Sequence, residues 1–216
     1  MTCSQCRGIE LLFDDRMARR ELKRYRRRGP SLSTRKLLDL LQEQGVRGRT
    51  FLDIGGGIGA VQHELMAAGA TGGTHADASP AYLHVSSEEA RARGHESRIH
   101  YVEGDFVEIA DTIDEADLVT LDRVVCCYPD MEGLIDASAP KARVAYGLVY
   151  PRDTRITGWV FGLVNLVQRL RRHPFRVFLH PTAEVEARIA RHGLHKRTVH
   201  RGLIWQVVVF DRPKTA

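Results

Sequence analysis

An α/β fold built on a parallel-cored sheet is predicted for this chain by three observations. First, Phe51-Leu52-Asp53-Ile54 leads through Gly55-Gly56-Gly57-Ile58-Gly59 into an amphipathic stretch over residues 60–70, which reads as strand, tight turn and helix. Second, apolar extended runs alternate with helical stretches as far as Tyr150, the pattern of parallel strands joined by crossover helices on both faces of a sheet. Third, the chain ends in β-like runs separated by a turn rather than in another strand–helix repeat, which adds an antiparallel end to the sheet.

The elements follow in order. Residues 9–28 read as a basic helix, with eight Arg or Lys against three acids from Asp14 to Arg28, stopped by Gly29-Pro30. Such a run is a solvated face, an arm over a ligand pocket, or a phosphate-contacting patch. Ser31 and Ser33 offer capping hydroxyls to a helix over 34–44, whose Leu37, Leu38, Leu40 and Leu41 form a stripe for packing on the sheet. A second strand over 71–77 ends in Asp77-Ala78-Ser79-Pro80, with proline suited to the first turn of a helix over 81–94. A third strand over 98–103 ends in Gly104-Asp105-Phe106, and a largely apolar fourth over 116–121 runs into Asp122-Arg123-Val124-Val125-Cys126-Cys127-Tyr128-Pro129. A fifth strand over 142–150 stops at Pro151, a helix covers 182–192, and a β-branched strand covers 203–210. Residues 156–170 are apolar on most sides of a helix and flanked by arginines. They read as a core helix, a lid over a hydrophobic substrate, or a helix lying on a membrane surface.

The glycine turn is where chemistry is expected. Its glycines let the backbone bend sharply and pass close to a ligand, and the free N–H groups of the following helix suit an anion. Asp77, at the end of a strand, can accept two hydrogen bonds from the vicinal hydroxyls of a ribose, or it can cap a helix. In an open α/β sheet the ligand lies beyond the carboxyl ends of the strands, so residues 122–130 should border it. The pattern Gly55-x-Gly57-x-x-Ala60 also fits the loose dinucleotide fingerprint, which keeps a nicotinamide cofactor in view.

At 216 residues the chain has the length of one domain with a substantial core. A net charge of +5 keeps anionic partners open. The polar N-terminus lacks a signal-peptide core and no apolar run reaches spanning length. Cys3, Cys6, Cys126 and Cys127 suit reduced thiols, so a cytoplasmic location is expected. Cys3-x-x-Cys6 has the spacing of half a zinc site or a redox pair, but the adjacent Cys126 and Cys127 do not complete a usual zinc site, since neighbours on a strand point apart. No metal is therefore expected.

Asp53 two residues before the first glycine, the alternation Gly55, Gly57, Gly59, the acid Asp77 and the step Gly104-Asp105-Phe106 together resemble the class I S-adenosylmethionine-dependent methyltransferases over residues 33–212. The resemblance implies a Rossmann-like fold with a seven-stranded sheet, a parallel core, an antiparallel C-terminal strand and helices on both faces. It implies S-adenosyl-L-methionine as cofactor, held by Asp53, Gly55, Gly57, Gly59, Asp77, Ala78, Asp105, Phe106 and Asp122. Asp105 would meet the adenine amino group and Phe106 would pack near the ring. Residues 1–32 would form a basic helical arm or lid, and 33–216 the methyltransferase domain. The segment Leu121-Asp122-x-x-x-x-Cys127-Tyr128-Pro129 is similar to its counterpart in the magnesium-protoporphyrin O-methyltransferases, where a histidine precedes Tyr-Pro; this chain has Cys127 there.

The expected activity is methyl transfer to an O, N, S or C atom of a small molecule, with Cys127 and Tyr128 facing an acceptor that is hydrophobic or porphyrin-like. His180 is a replacement base or a packing residue. Three other readings stand beside it: an RNA methyltransferase using the basic arm, a thiol-assisted methyltransferase of a soft metalloid in which Cys3 and Cys6 join Cys127, and a non-catalytic cofactor-binding module.

Overall fold

The structure, a computed structural model, describes Gly8 and residues 13–213. Cys3, Cys6 and the first residues of the predicted basic helix lie outside the described residues. Helix α1 spans Asp15–Arg28, started by the Asp14 carboxylate on the Met17 N–H and ended at Gly29, whose φ of 71° stops the turn. Helix α2 (Leu32–Glu43) begins two residues earlier than predicted because Ser31 caps it, so a boundary at residue 32 falls within its first turn.

The sheet is assembled from β1 (Thr50–Ile54), β2 (Gly72–Asp77), β3 (Ile99–Glu103), β4 (Ala116–Asp122), β5 (Ala142–Pro151), β6 (His195–Arg201) and β7 (Trp205–Asp211). Their order is β3-β2-β1-β4-β5-β7-β6, with parallel pairing from β3 through β5 and antiparallel pairing of β7 with both neighbours. This is the predicted parallel core with an antiparallel end. Order reverses between β1 and β4, and that switch is where a ligand crevice forms in such sheets.

Helices cover both faces. On one, α2 and α3 (Ala60–Ala67) bury Leu37, Leu41 and Leu65 against Phe51, Leu118 and Val209. On the other, α6 (Met131–Ser138) and α8 (Thr182–Arg191) bury Leu134, Ile135, Val185 and Ile189 against Val119, Leu121 and Tyr146. Each large aliphatic side chain so buried contributes about 1.5–3 kcal/mol. The remaining elements are α4 (Pro80–Ala92), the single turn α5 (Phe106–Ile109) and α7 (Arg155–Leu170). No helix of the described residues is long and apolar enough to cross a membrane.

The basic α1 packs Ala18, Leu22 and Tyr25 onto Ile58, Tyr82 and Val85. Several of its charges are matched: Arg26 joins Arg93 on the buried Glu89, and Arg19 reaches Asp15 and Glu88. Burial raises the Glu89 carboxyl, yet hydrogen bonds from Arg26 and Arg93 bring it below the usual range.

Candidate functional site

A cavity of about 370 Å³ opens at the carboxyl ends of β1, β2 and β4. Gly55 and Gly57 line it, both at φ 59°, a left-handed conformation that glycine adopts without strain. A Cβ on Gly55 would stand 2.5 Å from Val124. The Gly57 N–H donates to Asp77 Oδ2 at 2.9 Å, and the Ser79 N–H donates to Oδ1 at 2.8 Å. Asp77 therefore ties the glycine turn to the end of β2, and Ser79 is the cap of α4. Burial pushes the Asp77 carboxyl up to about 6 against the pull of these N–H groups. The Ser79 hydroxyl donates to the Phe13 carbonyl at 2.7 Å, fixing the start of α1 over the same corner.

Two expected cofactor contacts stand behind this surface rather than on it. Asp53 is fully buried, accepts the Thr120 hydroxyl at 2.8 Å, and does not line the cavity. Burial raises its carboxyl to about 7. A Cβ on Gly56 would lie 2.5 Å from Asp53 Oδ2 and from His75, so Gly56, a position no sequence argument singled out, is held to glycine by its underside. Gly59, at φ 79°, is the N-cap of α3, and its missing side chain makes room for Ser86 on α4. Asp53 is thus seated between Thr120 and the underside of Gly56, and Gly59 packs closely on α4.

At the end of β3, Phe106 is buried and lines the cavity, whereas Asp105 does not line it. Asp105 caps α5, accepting the Val107 N–H at 3.1 Å. The Tyr128 hydroxyl donates to Asp105 Oδ1 at 2.7 Å and accepts the Phe106 N–H at 3.2 Å. The Tyr128 ring thus lines the cavity, with its hydroxyl held at the Asp105 end.

The stretch after β4 turns at once. Arg123 adopts φ 67°, a strained conformation for a non-glycine residue, and Val125–Cys127 form a single 3₁₀ turn. Cys126 and Cys127 both direct their thiols at the Arg123 carbonyl, at 3.4 and 3.5 Å, so they do not point apart as strand neighbours would. A hydrogen bond with Cys126, reinforced by burial, pushes the Cys127 thiol well above its usual range. This shift favours the neutral thiol over the thiolate. Asp122 lines the cavity and accepts the Thr34 hydroxyl at 2.5 Å; burial raises its carboxyl. The Arg123 guanidinium lies 5.3 Å from the Trp205 ring centre and donates to Ser31 and Ser33.

A family model described as an O-methyltransferase domain matches residues 8–134, more than half of the chain. The chain belongs to that family. Its fold is that of the class I S-adenosylmethionine-dependent methyltransferases. Among solved structures it is similar to magnesium protoporphyrin IX methyltransferase from Synechocystis PCC 6803 with bound S-adenosylhomocysteine, at 15% identity and a TM-score of 0.67 over 83% of this chain and 81% of that one. It is similar to geranyl diphosphate C-methyltransferase from Streptomyces coelicolor A3(2), at 14% identity and a TM-score of 0.68 over 84% and 78%. An O-methyltransferase family protein from Burkholderia thailandensis matches at 18% identity and 0.65 over 83% and 56%. No curated protein sequence matches.

The methyltransferase also draws on residues that sequence reasoning missed. Glu21, Arg24 and Tyr25 of α1, with Phe13, close one side of the cavity, and Phe175, Val177 and Trp205 close another. Phe13 meets Phe175 edge-on at 5.7 Å, joining the two walls. His180 does not line the cavity; its ring nitrogen lies 2.9 Å from the Tyr128 carbonyl, a packing role. No cluster of His, Cys, Asp or Glu suited to a metal occurs among the described residues.

Proposed function

We propose that this methyltransferase moves the methyl group of S-adenosylmethionine onto a nucleophilic atom of a small, largely apolar acceptor. One observation carries the reading: a single cavity joins the glycine turn and Asp77 to a wall of Phe13, Phe175, Val177 and Trp205. A mostly apolar enclosure with a few placed polar groups is the usual form of a small-molecule site.

The residues fit the cofactor by their chemistry. Gly55, Gly57 and Ala78 leave room for it to approach the backbone, and the Asp77 carboxylate can accept the ribose hydroxyls. The Asp105 carboxylate and the adjacent Phe106 N–H form an acceptor–donor pair, the complement of adenine's amino donor and neighbouring ring acceptor. Phe106 supplies an apolar surface beside the ring. Asp53 and Gly59 hold the turn from behind, and Asp122 with Thr34 bounds the far side. Phe13 and helix α1, through Arg24 and Tyr25, act as the lid expected of residues 1–32.

The bound cofactor supplies an electrophilic methyl on a sulfonium. The chain's part is to align the nucleophile behind that methyl and exclude water, which can remove about 7–11 kcal/mol of barrier. Cys127 is a wall of the pocket in this reading, since a neutral thiol does not take a proton. Rate then rests on alignment, without the about 10²–10⁴-fold that a positioned base would add. The acceptors named for two structural neighbours, magnesium protoporphyrin IX and geranyl diphosphate, each join an apolar skeleton to anionic groups, and an acceptor with such a skeleton suits this wall.

The test is calorimetric titration with S-adenosylmethionine, S-adenosylhomocysteine and NAD, followed by transfer of a labelled methyl group to apolar acceptors carrying carboxylate, hydroxyl or thiol. Binding of both sulfur nucleosides, none of NAD, and label in an apolar acceptor is the expected result. Label appearing only in RNA would overturn the small-molecule reading.

A further inference from the structure

Helix α7 (Arg155–Leu170) is turned inside out for a helix on a globular protein. Its side toward the protein is the more polar one: Thr157 is fully buried, and Asn165 holds the 177 backbone from both sides, donating to the Val177 carbonyl at 2.8 Å and accepting its N–H at 2.9 Å. Phe161 is the one large apolar side chain of the helix on that side, 6.5 Å from the Trp205 ring. The outward side carries Ile156, Trp159, Leu163, Leu166, Val167 and Leu170, with Trp159 81% and Leu170 76% exposed. The Asn165 clasp fixes this orientation, so the apolar stripe cannot turn inward.

Charge says what covers the stripe. Between Asp153 and Glu184 there is no acidic residue, while Arg155, Arg169, Arg171, Arg172 and Arg176 fall in that stretch. Arg155, Arg169, Arg171 and Arg172 are exposed at the two ends of the helix. An apolar face with an interfacial tryptophan, framed by arginines, matches a bilayer surface: hydrocarbon for the stripe and anionic headgroups for the guanidinium groups. At about 24 Å the helix is too short to span, but it is long enough to lie flat.

We infer that α7 docks this protein on an anionic lipid surface. The segment that α7 holds through Asn165 includes Phe175 and Val177, two walls of the cavity, and Trp205 stands behind Phe161. Docking would therefore bring the acceptor side of the cavity to the lipid, so that an apolar acceptor enters from the bilayer; this last consequence rests on the methyl-transfer reading, whereas the docking does not.

The test is sedimentation of the full chain with vesicles of phosphatidylcholine alone and with vesicles of phosphatidylcholine and phosphatidylglycerol in equal parts. Tryptophan emission reports in parallel, because Trp159 is one of two tryptophans. Binding to the anionic vesicles with a blue-shifted emission is expected, and the shift should vanish in Trp159→Phe. Trp159→Glu with Leu163→Glu should abolish sedimentation. Arg169→Glu, Arg171→Glu and Arg172→Glu together should weaken it by about a hundredfold or more, from the contribution of each arginine near a charged surface. All these positions are exposed, and unchanged S-adenosylhomocysteine affinity would certify that the variants fold. Wild-type protein that stays in the supernatant with both vesicles overturns the inference. So does a dimer in solution that the Trp159→Glu, Leu163→Glu pair dissolves while neither vesicle binds, since a second copy would then cover the stripe. Vesicle binding without any affinity for the sulfur nucleosides would instead sink the methyl-transfer reading and leave the docking standing.

Discussion

The two ends of the cavity are built differently. The end formed by the glycine turn, Asp77 and Phe106 is made of backbone N–H groups, missing side chains and the buried Asp77 carboxylate, all at the strand ends of β1, β2 and β3. The opposite wall is made of large side chains from four separate parts of the chain: Phe13, Arg123, Phe175 and Trp205. A backbone-built end tolerates little change and binds one ligand. A wall of side chains can be reshaped without disturbing the sheet beneath it, which is how one fold serves many acceptors.

The sharpest way to break this contrast is Asp77→Ala. It removes the proposed ribose acceptor and also leaves the Gly57 N–H without its partner. Affinity for S-adenosylhomocysteine should fall by about a hundredfold or more, while the melting temperature shows the sheet still folded. Unchanged affinity would take Asp77 out of the site.

A pH titration sharpens the same end. Burial holds the free Asp77 carboxyl up at about 6, and ribose hydroxyls are accepted by the ionised form. Affinity should thus be complete above pH 6 and decline below it by about tenfold per unit. Asp77→Asn should flatten that slope. The stability sign is the reverse: a carboxyl raised on folding favours the native state at low pH, and that contribution is lost as pH rises through about 6. Affinity and stability measured on one sample should therefore move in opposite directions for this group.

For the side-chain wall, Phe175→Leu trims an aromatic ring from the acceptor side only. KM for the acceptor should rise by about tenfold, with S-adenosylhomocysteine affinity unchanged within about twofold. Equal losses in both would mean that the two ends are not separable.

The same contrast explains what the sequence could reveal. The strand–turn–helix around Gly55 is local, its glycines are set by backbone geometry, and the buried β4 is an apolar run; such features survive in one dimension. The wall is not local: nothing in Phe13 foretells Phe175, and nothing in Arg123 foretells Trp205. Strand β6, His-Lys-Arg-Thr-Val-His-Arg, lies at the sheet edge without a buried residue, so it shows no alternation that would give it a range, and the count of seven strands rested on the family resemblance. Strand β4 is predicted to end at Leu121, and the left-handed Arg123 that turns the chain into Val125–Cys127 leaves no sequence trace. On α7 the apolar pattern was plain, but which side faced outward depended on Asn165 meeting Val177.

Tyr128 tests the boundary between the two ends, with the smallest expected effect. Its hydroxyl donates to Asp105 and accepts from the Phe106 N–H, the same two bonds that the adenine edge would make with those groups. On the proposed reading the phenol holds the groups that would meet adenine and would yield them to the nucleoside. Exchanging one set of hydrogen bonds for another is nearly neutral, with each bond worth about 0.5–1.5 kcal/mol net. Tyr128→Phe removes the competing hydroxyl and keeps the ring on the cavity wall. Affinity for S-adenosylhomocysteine should then tighten by about two- to tenfold, with acceptor KM unchanged. A loss of turnover at unchanged cofactor affinity would return Tyr128 to the acceptor side, where the sequence first put it, and would mean that the phenol leaves Asp105 once the cofactor is in place.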